Sequence, residues 1–432
     1  MEFQKIKLHR SEKNRAAVTQ ITLDDDYNVP DYRQDIVKVI KERGELRFDE
    51  VKAMEGAAWI KGSLVFKVLY RSDKQEGKIS CLRGEIPFQE RLNMDGLSEY
   101  DAVHATGDME DLTIGVINSR KLNVRAVIVL TASSEKEVDE ELTCELSDGS
   151  SYEQNIVEKE ALKLLVVRRD ICRQKSEAVL PSSKPNIREI LWQSMQLRNV
   201  ESRLVEGNIR LSGEILVSIL YNDEEEGEHL SWYETTVPLD AQAECGVMED
   251  DCIWQVQMVP LTMELEVKPD YDGEERILVM ELALDTHIRI WKEEKIRLLT
   301  DLYSLQKEVK PVFRECPLER LLVKNAAKCR MTEQMELKED KEKVLQICSC
   351  EGKVLLERQE IKTDGVLAEG TVEVNILYIT PDDHMPVGAV QEIYPFSQLV
   401  EIPEMSAQAK VELDASLEQL SAVMLDQEHV EI

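Results

Sequence analysis

Three stretches of the chain alternate apolar and polar residues in the same way, each starting at a glycine and ending in Leu-Tyr. They are Gly62-Ser-Leu-Val-Phe-Lys-Val-Leu-Tyr70, Gly213-Glu-Ile-Leu-Val-Ser-Ile-Leu-Tyr221 and Gly370-Thr-Val-Glu-Val-Asn-Ile-Leu-Tyr378. Period-two alternation rich in β-branched residues predicts a half-buried strand. A second anchor follows each: Ile86-Pro87-Phe88, Val237-Pro238-Leu239 and Tyr394-Pro395-Phe396, with 17 residues from tyrosine to proline in every copy. Chance does not keep that spacing three times, so the chain is an internal repeat.

Each long strand is preceded by an acidic residue and a glycine (Glu55-Gly56, Glu206-Gly207, Asp364-Gly365), a hairpin turn signal. Further upstream a proline precedes apolar residues four apart: Pro30 before Tyr32, Ile36 and Ile40, Pro185 before Ile187, Leu191 and Met195, and Pro317 before Leu318, Leu322 and Ala326. That spacing predicts a short amphipathic helix opening each unit. Polar loops follow the tyrosines at Arg71 to Gly77, Asn222 to Gly227 and Ile379 to Gly388, and a returning strand ends at the proline anchor. A closing strand is predicted at Leu122 to Leu130. The second unit offers two candidates, Leu261 to Val267 and Ile277 to Ile290, around the turn Pro269 to Gly273.

The tyrosines lie 151 and 157 residues apart, a domain's length and too long for a solenoid repeat of ~20–50 residues. The expected architecture is mainly β, with three tandem homologous domains of antiparallel sheets and hairpins. Its boundaries are 1–134, an acidic linker 135–152 containing Ser147-Asp-Gly-Ser-Ser151, then 153–296 and 297–432. Pro87 to Val124 and Pro395 to Ile432 both span 37 residues, so Val430-Glu-Ile432 matches Leu122-Asn-Val124. The third domain is therefore expected to stop before its closing strand, in the front part of a longer protein.

Composition narrows the function. The net charge is −32 and the apolar fraction 43%, enough for packed cores but repelling phosphate backbones and anionic lipid. Nucleic acid and charge-driven membrane attachment are not expected partners. No run approaches the ~18 apolar residues of a membrane helix, and the first residues, Met1-Glu-Phe-Gln-Lys-Ile-Lys7, have no apolar core of a signal peptide. Nine scattered cysteines (81, 144, 172, 245, 252, 316, 329, 348, 350) and no glycosylation sequon fit a reducing cytosol.

Catalytic chemistry is sparse. The six histidines (9, 104, 229, 287, 384, 429) are isolated in sequence, and no Walker loop, dinucleotide fingerprint or Gly-x-Ser-x-Gly elbow occurs. Cys348 and Cys350 would share one face of a regular strand, either as metal or redox ligands or as two small buried side chains. Asp24-Asp-Asp26, Asp223 to Glu226 and Asp382-Asp383 lack the spacing of a calcium loop and read as solvated turns. Tyr70, Tyr221 and Tyr378 are expected to pack their rings with hydroxyls at the rim, and Gly62, Gly213 and Gly370 to mark bulges or close strand approach. A threefold motif favours architecture over catalysis. No catalytic, metal or cofactor residue is assigned, and the expectation is a protein that is not an enzyme.

The first unit, with its glycine-to-tyrosine strand, Gly84-Glu-Ile-Pro-Phe88, Met94-Asp-Gly-Leu97 and Ile117-Asn-Ser-Arg-Lys121, resembles the SPOCS domain of endospore-forming bacteria. The other units resemble it less closely and lack the Ile-Asn-Ser-Arg segment. The resemblance implies a scaffold in the mother-cell cytosol, at the forespore surface, that helps assemble and encase the spore coat. Implied partners are coat morphogenetic proteins, including a SpoIVA-like ATPase bound in that family through a C-terminal LysM domain. No LysM segment is visible here, so no partner-binding residue is carried over. The alternative is a glycan- or peptidoglycan-binding protein, for which clustered aromatics would be required. The five tryptophans (59, 192, 232, 254, 291) do not recur at equivalent positions.

Overall fold

A computed structural model describes every residue except 1, 73–76, 148–151, 225–228, 248–250, 307, 339–341, 404 and 407, and leaves the side chains of 12–15 undescribed. The loop 71–77 and the cluster 223–226 thus fall partly outside the described residues, as does most of the 147–151 segment.

The first unit is two three-stranded antiparallel sheets face to face. β1 (Phe3–Asn28), β6 (Lys121–Leu146) and β5 (Val103–Asn118) form one, in the order β1-β6-β5. The meander β2 (Lys38–Met54), β3 (Ala57–Arg71), β4 (Ile79–Asn93) forms the other. The second unit repeats this. β7 (Glu153–Val179), β12 (Glu275–Tyr303) and β11 (Cys252–Pro269) face the meander β8 (Ile187–Val205), β9 (Asn208–Asp223), β10 (Leu230–Glu244). The third has the meander β14 (Gln346–Lys362), β15 (Gly365–Ile379), β16 (Val387–Glu401). Opposite it lies only a short sheet of β13 (Gln334–Glu336), β18 (His429–Glu431) and β17 (Val423–Met424).

Both strand candidates of the second unit form, as β11 and β12. Residues 135–146, expected within the linker, are instead the second half of β6 and stay paired with β1.

The glycine-to-tyrosine motif is the central strand of each meander, and its alternation sorts two interiors. In β3 the residues Ile60, Leu64, Phe66, Val68 and Tyr70 face the sandwich core with Leu122, Ile128 and Leu130 from β6. β9 does the same with Ile215, Val217, Ile219 and Tyr221, and β15 with Val374, Ile376 and Tyr378. The proline anchors lie on β4, β10 and β16, which are edge strands of their sheets, where a missing N–H interrupts no ladder. The hairpin signals are tight turns: φ is +72° at Gly56, and +47° and +81° at Glu206 and Gly207.

No helix forms among the described residues, so the amphipathic helices expected after Pro30, Pro185 and Pro317 are corrected to strand, turn and irregular chain. Bulges explain the misleading spacing. The pairing of β2 shifts register between Val39 and Lys41, and that of β8 between Ile187 and Glu189 and again between Ile190 and Trp192. Each extra residue flips the alternation, so apolar residues four apart no longer share one face of the strand. They serve different interiors: Ile187 and Met195 enter the core of the second unit, whereas Leu191 between them faces outward against neighbouring units. Pro317 lies in an extended segment in which Leu318 packs between the long strands of the first two units and Leu322 is exposed.

The third unit keeps the register read from its proline. Val430 sits between Met335 and Met424, as Leu122 sits between Tyr27 and Val116.

Candidate functional site

Each motif tyrosine closes its own unit in the same way. Tyr70 donates its hydroxyl to the carbonyl of Gln34 (3.1 Å), Tyr221 to Pro185 (3.1 Å) and Tyr378 to Glu342 (3.0 Å), always 36 residues upstream. The rings are fully buried, and burial pushes the Tyr70 and Tyr221 hydroxyls up to about 12 and raises Tyr378 as well. They remain neutral donors.

The motif glycines face bulges, as expected. Gly62 lies opposite the register shift between Phe48 and Glu50, and a Cβ there would stand 2.4 Å from the Arg47 carbonyl oxygen. Gly370 faces the shift between Leu356 and Arg358, with the Leu355 oxygen at 2.1 Å, and Gly213 faces that between Arg198 and Glu201, with the Arg198 oxygen at 2.9 Å.

The leucine before each tyrosine points the other way. Leu69, Leu220 and Leu377 meet in one cluster with Ile79, Leu191, Trp192, Cys348 and Val387, drawn from all three meanders. The sheets close around it as a ring: β4 lies beside β8, β10 beside β14, and β16 beside β2. The last strand of each meander thus abuts the first of the next, a heterologous contact that closes after three copies.

Polar contacts fix the seams. Arg33 pairs with Glu189 at 3.1 Å between the first and second units, and Lys38 with Glu342 at 3.1 Å between the first and third. Near the axis Glu351 of β14 is buried between Lys41 and Arg43 of β2, both at 3.2 Å, and accepts from the indole of Trp192 in β8 at 3.4 Å. Burial alone would raise the Glu351 carboxyl. Lys41 and Arg43, with hydrogen bonds from Lys41 and Trp192, outweigh it and hold the group below the ordinary glutamate range.

Cys348 and Cys350 do not share a face. The bulge between Ile347 and Ser349 directs Cys348 to the central cluster while Cys350 joins the core of the third unit. Burial pushes both thiols up to about 12, so they are not thiolates. Among the described residues no three His, Cys, Asp or Glu side chains converge as metal ligands. Asp24 and Asp26 receive the Asn123 amide, and Asp382 accepts from the His384 backbone.

Two histidines isolated in sequence do meet. His104 of β5 and His287 of β12 stack with ring centroids 5.6 Å apart, between the first and second units. Arg169 donates to His104 Nδ1 at 2.8 Å and also binds Asp285. A separation of more than 180 residues hid the pair.

The SipL, SPOCS domain family model matches residues 35–117 and 343–425. The chain carries two SPOCS-domain segments. The two matched windows are offset by 308 residues, the offset between Tyr70 and Tyr378, and each covers a whole meander. The second unit lies outside the match yet repeats the same strands. No curated protein and no solved structure matches the chain. A SPOCS domain carries with it a sporulation-related role.

Proposed function

We propose that this SPOCS-domain chain is a non-enzymatic scaffold in the mother-cell cytosol that gathers coat morphogenetic proteins at the forespore surface. The observation that carries the reading is the fate of the repeated motif. Its tyrosine, leucine and glycine are spent on cores, seams and bulges, in a family tied to sporulation. What remains outside is a strongly acidic surface, suited to steering a basic partner face. The SpoIVA-like ATPase is the expected partner in this reading.

A glycan-binding role finds less support, because none of the five tryptophans is fully exposed and Trp192 is buried in the central cluster. Among the described residues no helix is long and apolar enough to cross a membrane.

The test is a gene deletion with a complementing fluorescent fusion in a sporulating host. The fusion is expected to encircle the forespore, and the deletion to leave coat layers detached in thin-section electron micrographs. A normal coat in the deletion strain would sink the proposal.

A further inference from the structure

The three seams of the ring are not chemically alike. Lys184 and Arg33 hold the same place, each donating its backbone N–H to a proline carbonyl three residues back (2.9 Å in both). Arg198 and Arg47 also correspond, each paired with the residue after its motif glycine. In the first unit both positions have carboxylates: Arg33 pairs with Glu189, and Arg47 with Glu85 and Asp49. Among the described residues neither position of the second unit has one. Among the described residues Lys184 makes no ion pair and sits over the Trp232 ring at 4.6 Å. Arg198, 9% exposed, gives its terminal nitrogens among the described residues only to the neutral oxygens of Leu420 and Gln196.

These two cations line a cavity of about 450 Å³ where β9 and β10 of the second unit meet β14 and residues 420–422 of the third. That volume is in the range of small-molecule sites. Two polar atoms at its wall lack a partner, Arg198 Nε and Ser349 Oγ, and Ser349 is only 5% exposed. Glu234, the acid of the lining, is exposed and takes the Ser218 hydroxyl at 3.1 Å. A buried guanidinium with no counter-ion is costly, and an unfilled donor beside it adds to that cost. A bound oxyanion would satisfy both.

We propose that the seam between the second and third units binds a small organic anion, with Lys184 and Arg198 taking its acid group and Trp232 packing on its body. The acid is a carboxylate or a phosphate ester, which share the oxyanion these donors recognise. A ring or short apolar body suits the indole face. Because the site bridges two units, its ligand would stiffen the ring at the seam that has no ion pair of its own at these positions.

The experiment uses the intact chain and titrates benzoate, phenyl phosphate and benzylamine by calorimetry and tryptophan fluorescence. At least one of the two anions is expected to bind, the tighter one naming the acid group, and benzylamine, the same ring with a cation, is not. Arg198→Gln is expected to weaken binding about tenfold or more, the loss of one charged hydrogen bond. Should that variant fail to fold, Lys184→Gln at the half-buried rim gives the same readout with a smaller drop, and Glu189→Gln at the other seam leaves binding unchanged. Failure of both anions to bind, equal binding of benzylamine, or undiminished binding by Lys184→Gln overturns the proposal.

Discussion

The hydroxyl of Tyr70 is bound to the carbonyl of Gln34 at 3.1 Å, joining the last residues of β3 to the turn that leads into β2. Because Tyr221 and Tyr378 make the same bond at the same separation, one side chain per unit fixes where the meander begins. The ring contributes by burial, and the hydroxyl satisfies a carbonyl that no strand partner reaches.

Replacing the tyrosine with phenylalanine therefore removes one hydrogen bond and leaves the ring. Tyr70→Phe, Tyr221→Phe and Tyr378→Phe are each expected to cost about 1 kcal/mol, seen as three similar decreases in melting temperature by calorimetry. A neutral effect at all three would mean that water replaces the bond without loss.

The glycines should not behave alike. An alanine Cβ at Gly370 or Gly62 would meet a backbone oxygen at 2.1 or 2.4 Å, against 2.9 Å at Gly213. Backbone cannot swing aside as a flexible side chain can, so Gly370→Ala and Gly62→Ala are expected to cost roughly 1–3 kcal/mol and Gly213→Ala clearly less. Thermal unfolding of the three single variants ranks them, and a ranking led by Gly213→Ala contradicts the argument.

These differences also show what the sequence could convey. The central strands, their turns and the edge prolines were legible because each rests on local alternation or on a fixed spacing repeated three times. The openings of the first two units were not, because bulges at Ile40 and Leu191 interrupt the two-residue period. The ring was hidden for another reason. Leu69, Leu220 and Leu377 read as ordinary outward positions of a strand, and Glu351 lies about 310 residues from Lys41. Only the closed fold brings them together.

Glu351 offers a test of that closure. Glu351→Gln leaves buried Lys41 and half-buried Arg43 without their carboxylate, with an expected loss of about 3–5 kcal/mol. The carboxyl titrates lower in the folded chain than its ordinary 4.5. Its contribution is thus present above pH 4.5 and fades as pH falls through the depressed folded value. Denaturant titrations of wild type and variant should therefore differ most near neutral pH and converge in acid. A gap that stays constant down to the acid limit would exclude this linkage.

His104 and His287 impose a second dependence, at higher pH. Burial first, then Arg169 beside His104, holds that imidazole below 6.5, and burial likewise lowers His287 despite the opposing pull of Glu135. The unfolded chain then binds more protons than the folded one just below pH 6.5. Stability contributed by the pair is full above that value and is lost as pH drops from there through the depressed folded values. Between pH 7 and pH 5.5 the melting temperature is expected to fall in the wild type, and to fall less in the His104→Gln/His287→Gln protein. Parallel slopes would show that the decline arises elsewhere.

Arg120 links the family motif to the fold and yields the last prediction. Its guanidinium donates to the carbonyls of Val29, Pro30 and Arg33 and pairs with Asp35, holding the turn between β1 and β2. The second unit, which lacks the Ile-Asn-Ser-Arg segment, nevertheless supplies Arg276 to the carbonyls of Leu180, Pro181 and Lys184. Pairing explains why: the backbone carbonyls of Arg120, Arg276 and Glu428 accept from Val29, Leu180 and Leu337 in turn. The third unit thus has a glutamate at this place, paired with exposed Lys343 at 3.1 Å. Arg120→Ala and Arg276→Ala are each expected to cost about 2 kcal/mol, and Arg120→Lys to recover little, because an ammonium cannot span the carbonyls that a planar fork reaches. Glu428→Ala should change stability by less than about 0.5 kcal/mol. Calorimetry on the four variants checks the set, and a Glu428→Ala loss as large as that of Arg120→Ala would show that the clamp is not what distinguishes the third unit.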